Sequence, residues 1–241
     1  IKCCNQSGLD VEDIVLEPLS SSQAVLSPDE QEVGVVLVDI GGGTTDVTIY
    51  SEGSIVHTSV LALGGNHLTH DIAIGLGAPL REAEEIKHKF GVAMANMVEE
   101  DEMIDVPSVG GRNNRTMQKR VLASIIEDRF REIFELIAHE IEKTHFHTLM
   151  ASGVVITGGT CIMSGADRLA SQVLNLPVRV GYPENISGLR EMIYSPKYAT
   201  SVGLVRYGIT SNQGKLNFVG DDTNLFHKVS RRMKDWMQDF F

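Results

Sequence analysis

Leu37-Val38-Asp39-Ile40-Gly41-Gly42-Gly43-Thr44-Thr45-Asp46 is the stretch on which the reading of this chain turns. The run from Val33 to Ile40 is apolar and β-branched, the pattern of a buried strand. It closes on a carboxylate and three glycines, then re-enters an alternating stretch from Thr44 to Tyr50. Glycines let the backbone approach a ligand closely and point successive N–H groups into one concavity. Asp39, at the strand's end, suits a hydrated Mg2+ beside phosphates, and Thr44 and Thr45 add hydroxyl donors. The competing account is a tight hairpin with an incidental acid.

Working outward, Glu52-Gly53 makes a turn and Ser54 to Leu63 a third strand, completing a hairpin meander. Upstream, residues 18–27 read as a short helix ended near Pro28, followed by a polar turn from Ser27 to Glu32. Downstream, Gly64-Gly65 opens a helical stretch from His67 to Leu76, and a second helix, Leu80 to Phe90, follows Pro79. Residues 99–119 read as strand and loop around the turn Gly110-Gly111-Arg112-Asn113-Asn114. Residues 120–149 read as a long amphipathic helix with Val121, Ile125, Ile126, Phe130, Ile133, Ile137 and Ile141 on its apolar side. Val154-Val155-Ile156 is a second buried strand. It runs into Thr157-Gly158-Gly159-Thr160 and a helix from about Gly165 to Leu174. Strand, diglycine and helix suit a phosphate or nucleoside at a helix N-terminus. Neither glycine turn has Rossmann or Walker spacing. A strand at Val178–Val180, a helix over 198–209, a polar linker over 210–224 and a helix over 225–241 complete the chain.

The 241 residues suffice for one large domain or two small ones, and the net charge of -11 argues against a general nucleic-acid binder. The acidity is uneven, because Lys228, Arg231, Arg232 and Lys234 crowd the last helix and point to an anionic partner for the tail alone. Cys3, Cys4 and Cys161 lack zinc-clamp spacing and read as reduced thiols. No apolar run is long enough for a transmembrane helix, and the opening residues do not read as a signal peptide. His67, His70 and Asp71 could bind a metal, whereas His139-Glu140 with His145 fails the zinc-protease spacing; both groups read as surface histidines.

At 100° per residue, Leu225, Phe226, Val229, Met233, Trp236, Met237, Phe240 and Phe241 fall in one arc of roughly 160°. Lys228, Arg232 and Lys234 border it, where long stems can lie along the apolar face. A helix of about 25 Å is too short to span hydrocarbon and is expected to lie in the membrane interface. The alternative is a core helix docked on the body.

Taken in order, several pieces resemble the actin, Hsp70 and sugar-kinase superfamily. They are Glu17-Pro18 with its small-residue helix, Asp39 to Thr44, Gly64-Gly65, Thr157-Gly158-Gly159, and Tyr198-Ala199-Thr200-Ser201-Val202-Gly203-Leu204. Val38 to Asp46, Leu63-Gly64-Gly65-Asn66-His67-Leu68-Thr69, Ala83-Glu84-Glu85-Ile86-Lys87, Pro107 to Arg112 and the basic terminal helix resemble the FtsA family within it. The resemblance implies an α/β actin-like (ribonuclease H-like) ATPase fold. On it, Asp39 faces Mg2+ through water, Gly41, Gly42, Gly43 and Thr44 cradle the β- and γ-phosphates of ATP, and Glu17 binds metal-shell water. Gln23 would orient an attacking water. Glu84 and Lys87 would reach the ribose and adenine side, and Gly158, Gly159 and Thr160 would hold the adenosine. The N-terminal phosphate loop of the superfamily does not precede Ile1, so the chain is expected to be the C-terminal portion of a longer protein with about half of the ATP site.

The expected organisation follows the family. Residues 1–27 end a first subdomain with its connecting helix, 28–66 and 151–209 form the nucleotide-binding subdomain, and 67–150 form an inserted subdomain. The family's role is a membrane tether at the division site: an ATP-binding, polymerising protein that holds the FtsZ ring to the cytoplasmic face of the inner membrane and recruits later division proteins. The expected partners are the FtsZ C-terminal tail, other copies of the chain, anionic lipid and other divisome proteins. Arg112, Arg115, Arg120 and Arg129 are expected to meet the FtsZ tail. ATPase activity is expected to be slow. A sugar kinase of the same superfamily would need a general base near an acceptor hydroxyl. A chaperone or pilus-assembly ATPase is the other rival.

Overall fold

The computed structural model describes residues 1–110, 113–144, 150–185 and 190–212. Arg112, the linker beyond residue 212 and the terminal helix expected at 225–241 lie outside the described residues. Ile1–Tyr207 form one compact unit, and a second, Gly208–Phe241, is described only over its first residues.

After a short helix α1 (Lys2–Gln6), β1 (Val35–Ile40), β2 (Thr45–Ser51) and β3 (Ser54–Leu61) form an antiparallel meander. β4 (Met103–Val106) and β5 (Arg115–Gln118) make a separate antiparallel pair. β6 (Val154–Thr157) and β7 (Val178–Val180) add parallel to β1, giving one five-stranded sheet in the order β3-β2-β1-β6-β7. Every β1 residue is buried, which explains its unbroken apolar run.

Strand alternation assigns the two sheet faces. Val36, Val38, Ile40, Val47, Ile49, Val154 and Ile156 pack in one core with residues of α4 (Gly65–Leu76), α5 (Leu80–Phe90), α6 (Lys119–Lys143) and α7 (Ala166–Leu174). Val35, Leu37, Tyr50 and Val155 pack on the other side with Ala24 and Val25 of α2 (Glu17–Val25) and with Ala199 and Val202 of α9 (Ala199–Asn212), which follows the short helix α8 (Arg190–Ile193). Asp39, two residues beyond Leu37, therefore faces α2 and α9. There α2 and α9 touch backbone to backbone: a Cβ built on Gly203 would lie 1.7 Å from the Ser20 carbonyl, and Ser20 Oγ donates to the Thr200 carbonyl at 2.6 Å.

Three local expectations change. The polar turn expected at 27–32 is a helix, α3 (Pro28–Val33), and β1 begins two residues later than expected. Its cause is a capping box: Ser27 Oγ accepts from Glu30 N at 3.2 Å, and the Glu30 carboxylate accepts from Ser27 N at 2.8 Å. Glu30 also receives Arg179 of β7 in two bonds of 2.7 Å, pinning α3 to the sheet. Second, the apolar face of α6 keeps Ile126, Phe130, Ile133, Ile137 and Ile141 as expected but differs at its edges. Val121 is 39% exposed and Ile125 half-buried, while Leu122 and Phe134 are fully buried. Phe130 and Phe134 stack with centroids 5.7 Å apart. Third, Gly158-Gly159 leads first into a 3-10 turn, Gly159–Ile162, while α7 begins after Gly165 as expected. Among the described residues no helix is long and apolar enough to cross a membrane.

The observed burial along α6 has a direct consequence. Phe134→Ala should destabilise the protein by about 3–5 kcal/mol, and Val121→Ala by no more than about 0.5 kcal/mol, measured as shifts in the urea unfolding midpoint.

Candidate functional site

The β1–β2 turn is closed by Gly41 N donating to the Thr44 carbonyl at 2.9 Å. Its carbonyls are drawn inward. The Gly41 carbonyl accepts from Gly65 N at 3.0 Å and from Thr160 Oγ1 at 2.9 Å, and the Gly42 carbonyl accepts from Asn66 N at 2.7 Å. The exposed Gly42, Gly43 and Thr44 keep N–H groups with no backbone partner among the described residues. Successive outward N–H groups make an anion-binding concavity. The close approach depends on absent side chains. A Cβ on Gly64 would lie 2.6 Å from the Gly41 carbonyl, and one on Gly158 (φ +93°) would lie 2.4 Å from the Ile40 carbonyl. The two glycine turns thus meet at the carboxyl ends of the parallel neighbours β1 and β6, where open α/β sheets bind ligands.

A cleft of about 440 Å3 opens at this point. Gly42, Glu84, Lys87, Gly159 and Thr160, all expected from sequence, line it, and the structure adds Gly65, Asn66, His88, Gly91, Ile162, Met163, Ser164 and Lys197. Lys197, carried in from far along the chain, sits with its ammonium 4.7 Å from the centre of the Tyr198 ring. No pattern of spacing announces it. Asn66 was legible only as the neighbour of Gly64-Gly65.

Glu84 and Lys87 are engaged with the protein. Lys87 Nζ lies 2.7 Å from Glu84 Oε2, and His88 Nε2 lies 2.9 Å from Glu84 Oε1. Thr69 Oγ1 also donates to Glu84. Burial alone would raise the Glu84 carboxyl, but the hydrogen bonds from Lys87 and Thr69 and the neighbouring positive charge hold it below its ordinary value.

On the α2–α9 side of the glycine turn lie three carboxylates. Asp39 Oδ2 accepts from Ser21 Oγ at 2.7 Å and from Thr200 Oγ1 at 3.4 Å. Thr200 Oγ1 lies 3.5 Å from Glu17 Oε1. Burial, with the Glu17 charge adding to it, holds the Asp39 carboxyl above its ordinary value despite those hydroxyl donors. Burial, Glu17 and Asp39 together push Asp46 up to about 6. An all-oxygen, mutually repelling set is the chemistry a hard cation relieves. Among the described residues no three of these groups converge to hold a bare ion.

Gln23 sits elsewhere, about 200° around α2 from Ser21 and so off the Asp39 face. Its backbone carbonyl receives Arg206 Nη1 at 2.5 Å. His67 Nδ1 accepts from Gly64 N at 3.2 Å, His70 Nδ1 lies 2.9 Å from the Asn66 carbonyl, and Asp71 is bound to Arg129. The basic residues are spread. Arg129 bridges α6 to Asp71 of α4 with bonds of 2.5 and 3.0 Å, Arg115 donates to the Leu76 carbonyl, and Arg120 meets the exposed Glu100 at 3.2 Å.

The fold is shared with solved proteins. MreB5 of Spiroplasma citri bound to ADP superposes with a TM-score of 0.70 at 19% identity, over 90% of this chain and 65% of that one. A PilM–PilN type IV pilus biogenesis complex gives 0.63 at 17% identity, over 85% and 55%. This is the mixed α/β, actin-like class. The family model described as Cell division protein FtsA matches residues 36–203. The protein of that name from Pseudomonas aeruginosa is 40% identical over 245 residues, and that from Escherichia coli K12 is 38% identical over 249. Each match takes in 100% of this chain and 59% of the relative. That from Bacillus subtilis 168 is 38% identical over 86% of this chain and 46% of its own length. This chain belongs to the FtsA family and spans about 59% of the length of these first two relatives.

The carboxylate group carries a pH signature. Asp46 in the folded protein titrates at about 6, above the about 3.9 of an unfolded chain. A raised pKa means its contribution to stability is present at low pH and is lost as pH rises through the folded value. Asp46→Asn should therefore raise the melting temperature of the nucleotide-free protein near neutral pH. The gain should vanish once the pH falls below the unfolded value, in calorimetric scans across that range.

Proposed function

We propose that this chain is the nucleotide-binding portion of an actin-like cell-division protein that binds Mg·ATP, polymerises, and tethers the FtsZ ring to the cytoplasmic face of the inner membrane. The observation that carries the nucleotide part is the β1–β2 turn, whose Gly41 and Gly42 carbonyls are spent on α4 and Thr160 while Gly42, Gly43 and Thr44 keep N–H groups with no backbone partner among the described residues. In this reading Gly42, Gly43 and Thr44 hold the terminal phosphates, and Gly159 and Thr160 take the adenosine in the cleft. Asp39 holds Mg2+ through water, and bound Mg2+ supplies charge neutralisation for the phosphates. Glu17, on the Asp39 side, is better placed than Gln23 to act on a metal-shell water. Slow hydrolysis suits a protein whose nucleotide serves mainly to set conformation.

Residues 28–66 and 151–209 would form the nucleotide-binding subdomain and 67–150 the inserted one, with Arg112 and Arg120 offered to the acidic and apolar FtsZ tail. Arg129 is committed to Asp71 and would serve mainly to join α6 to α4. The terminal helix, 225–241, would bind anionic lipid, and other divisome proteins would assemble on the tethered filament.

Two experiments on the full-length protein test this. Asp39→Ala should weaken Mg·ATP binding about tenfold or more, read by calorimetric titration with and without Mg2+; equal affinity would remove the phosphate assignment. Trp236→Glu should abolish liposome binding at any salt, since it puts a charge in the acyl boundary. Arg231→Glu with Arg232→Glu should weaken binding to anionic vesicles only. Nucleotide binding should survive all three tail changes.

A further inference from the structure

β3 is an open edge of the five-stranded sheet. β2 is its one strand neighbour, so the N–H and C=O groups along its outer side have no backbone partner among the described residues. The opposite edge is guarded: β7 has three residues, and its Arg179 is tied to Glu30 and to the Val25 carbonyl. β3 runs from Ser54 to Leu61 with no Asp, Glu, Lys, Arg or Pro among its residues. Natural sheets blunt long edges with charge or proline, and β3 has neither. Thr58 and Val60, both exposed and β-branched, suit pairing. A register shift beside Ile49 and Tyr50 interrupts the ladder with β2, which leaves His57 to Leu61 as the regular stretch.

That stretch also holds two polar atoms that are buried without a hydrogen-bond partner among the described residues, His57 Nε2 and Ser59 Oγ. Their side chains are two residues apart, on the same face of the strand. Leaving such atoms unpaired costs their desolvation. A second copy of the strand supplies the missing partners. About a twofold axis, a strand meets its own copy antiparallel, with residues of equal parity opposite each other. Centring the axis on His57 sets His57 against itself, and centring it on Ser59 sets His57 against Leu61. Centring it on Thr58 sets each His57 against the other copy's Ser59, an imidazole nitrogen against a hydroxyl that donates or accepts. The same axis pairs Thr58 with Thr58, a favourable cross-strand neighbour.

Charge favours the same arrangement. The chain carries a net charge of -11, and Glu52 sits at the turn into β3. With the axis on Thr58, the Glu52 residues of the two copies stand about 40 Å apart along the strands, far outside a Debye length of about 8 Å. A parallel pairing would set them side by side.

We infer that β3 is a self-association edge, where two copies of this chain join their sheets antiparallel about a twofold axis at Thr58. A paired stretch of about five residues buries less than the roughly 1,000 Å2 of a free-standing interface, so the contact acts where copies are already concentrated. It goes beyond the polymer proposed above and needs no nucleotide, since no residue of β3 lines the cleft.

Disulfide trapping in the full-length protein tests the register, with the exposed cysteines, Cys3 and Cys4 among them, replaced by serine. Thr58→Cys should give a dimer on mild oxidation, because residues opposite each other across the axis have Cα atoms about 5 Å apart. Val60→Cys, displaced from its copy by about 13 Å along the strand, should give about tenfold less. Adding Val60→Lys to Thr58→Cys should cut trapping about tenfold, with thermal unfolding as in the parent. Equal trapping at positions 58 and 60 would be chance collision and would overturn the inference. So would a Val60→Lys variant that traps as well as its parent, or a Thr58→Cys protein that melts like wild type and stays monomeric. The yield should be the same with and without Mg·ATP, so this outcome stands apart from that of the nucleotide reading.

Discussion

Everything at this site depends on how closely three backbone segments approach one another where β1 and β6 end. The carbonyls of Ile40, Gly41 and Gly42 lie against Gly158, Gly64 and Asn66, at separations that exclude a Cβ at the first two contacts. Backbone polar groups must find partners when buried. Here the carbonyls find theirs in the first N–H groups of α4, which a helix start leaves unpaired. One contact therefore satisfies two sets of orphan groups and leaves the N–H groups of Gly42, Gly43 and Thr44 without a backbone partner among the described residues.

The sheet then divides the labour. Because β1 is buried on both faces, its last carboxylate cannot face bulk solvent and is directed to the α2–α9 side. Ser21 and Thr200, at the point where Gly203 lets the two helices touch, supply the hydroxyls that make a buried Asp39 tolerable. The residues lining the cleft lie among α4, α5 and the 3-10 turn after β6. The Asp39 carboxylate and the cleft thus lie on either side of the glycine turn. A ligand that spans both must carry its anionic part across that turn.

Much of this was legible in the chain. The apolar run at 35–40, the hairpin meander and the two glycine turns follow from residue pattern alone, and the cleft does gather Gly42, Glu84, Lys87, Gly159 and Thr160. What was missed has physical causes. Ser27-Pro28-Asp29-Glu30 looks like a turn by composition, but serine and glutamate three apart close a capping box, and Arg179 from a distant strand completes the bond set. In α6, Val121 and Ile125 satisfy the helical period as well as Leu122 and Phe134 do, and only packing between α4 and α7 sets the edges of the buried face. Lys197 arrives through tertiary structure. The engagement of Lys87 and Glu84 with each other depends on rotamers and neighbours that spacing cannot specify.

The central claim is that the N–H groups of Gly42, Gly43 and Thr44 receive phosphate. Amide NMR of the full-length protein, labelled with 15N at glycine and threonine, tests it most directly. Titration with Mg·ATP should move the Gly42, Gly43 and Thr44 signals, and adenosine should leave them in place while moving Gly159 and Thr160. Binding of Mg·ATP with the three turn amides unmoved would contradict the account.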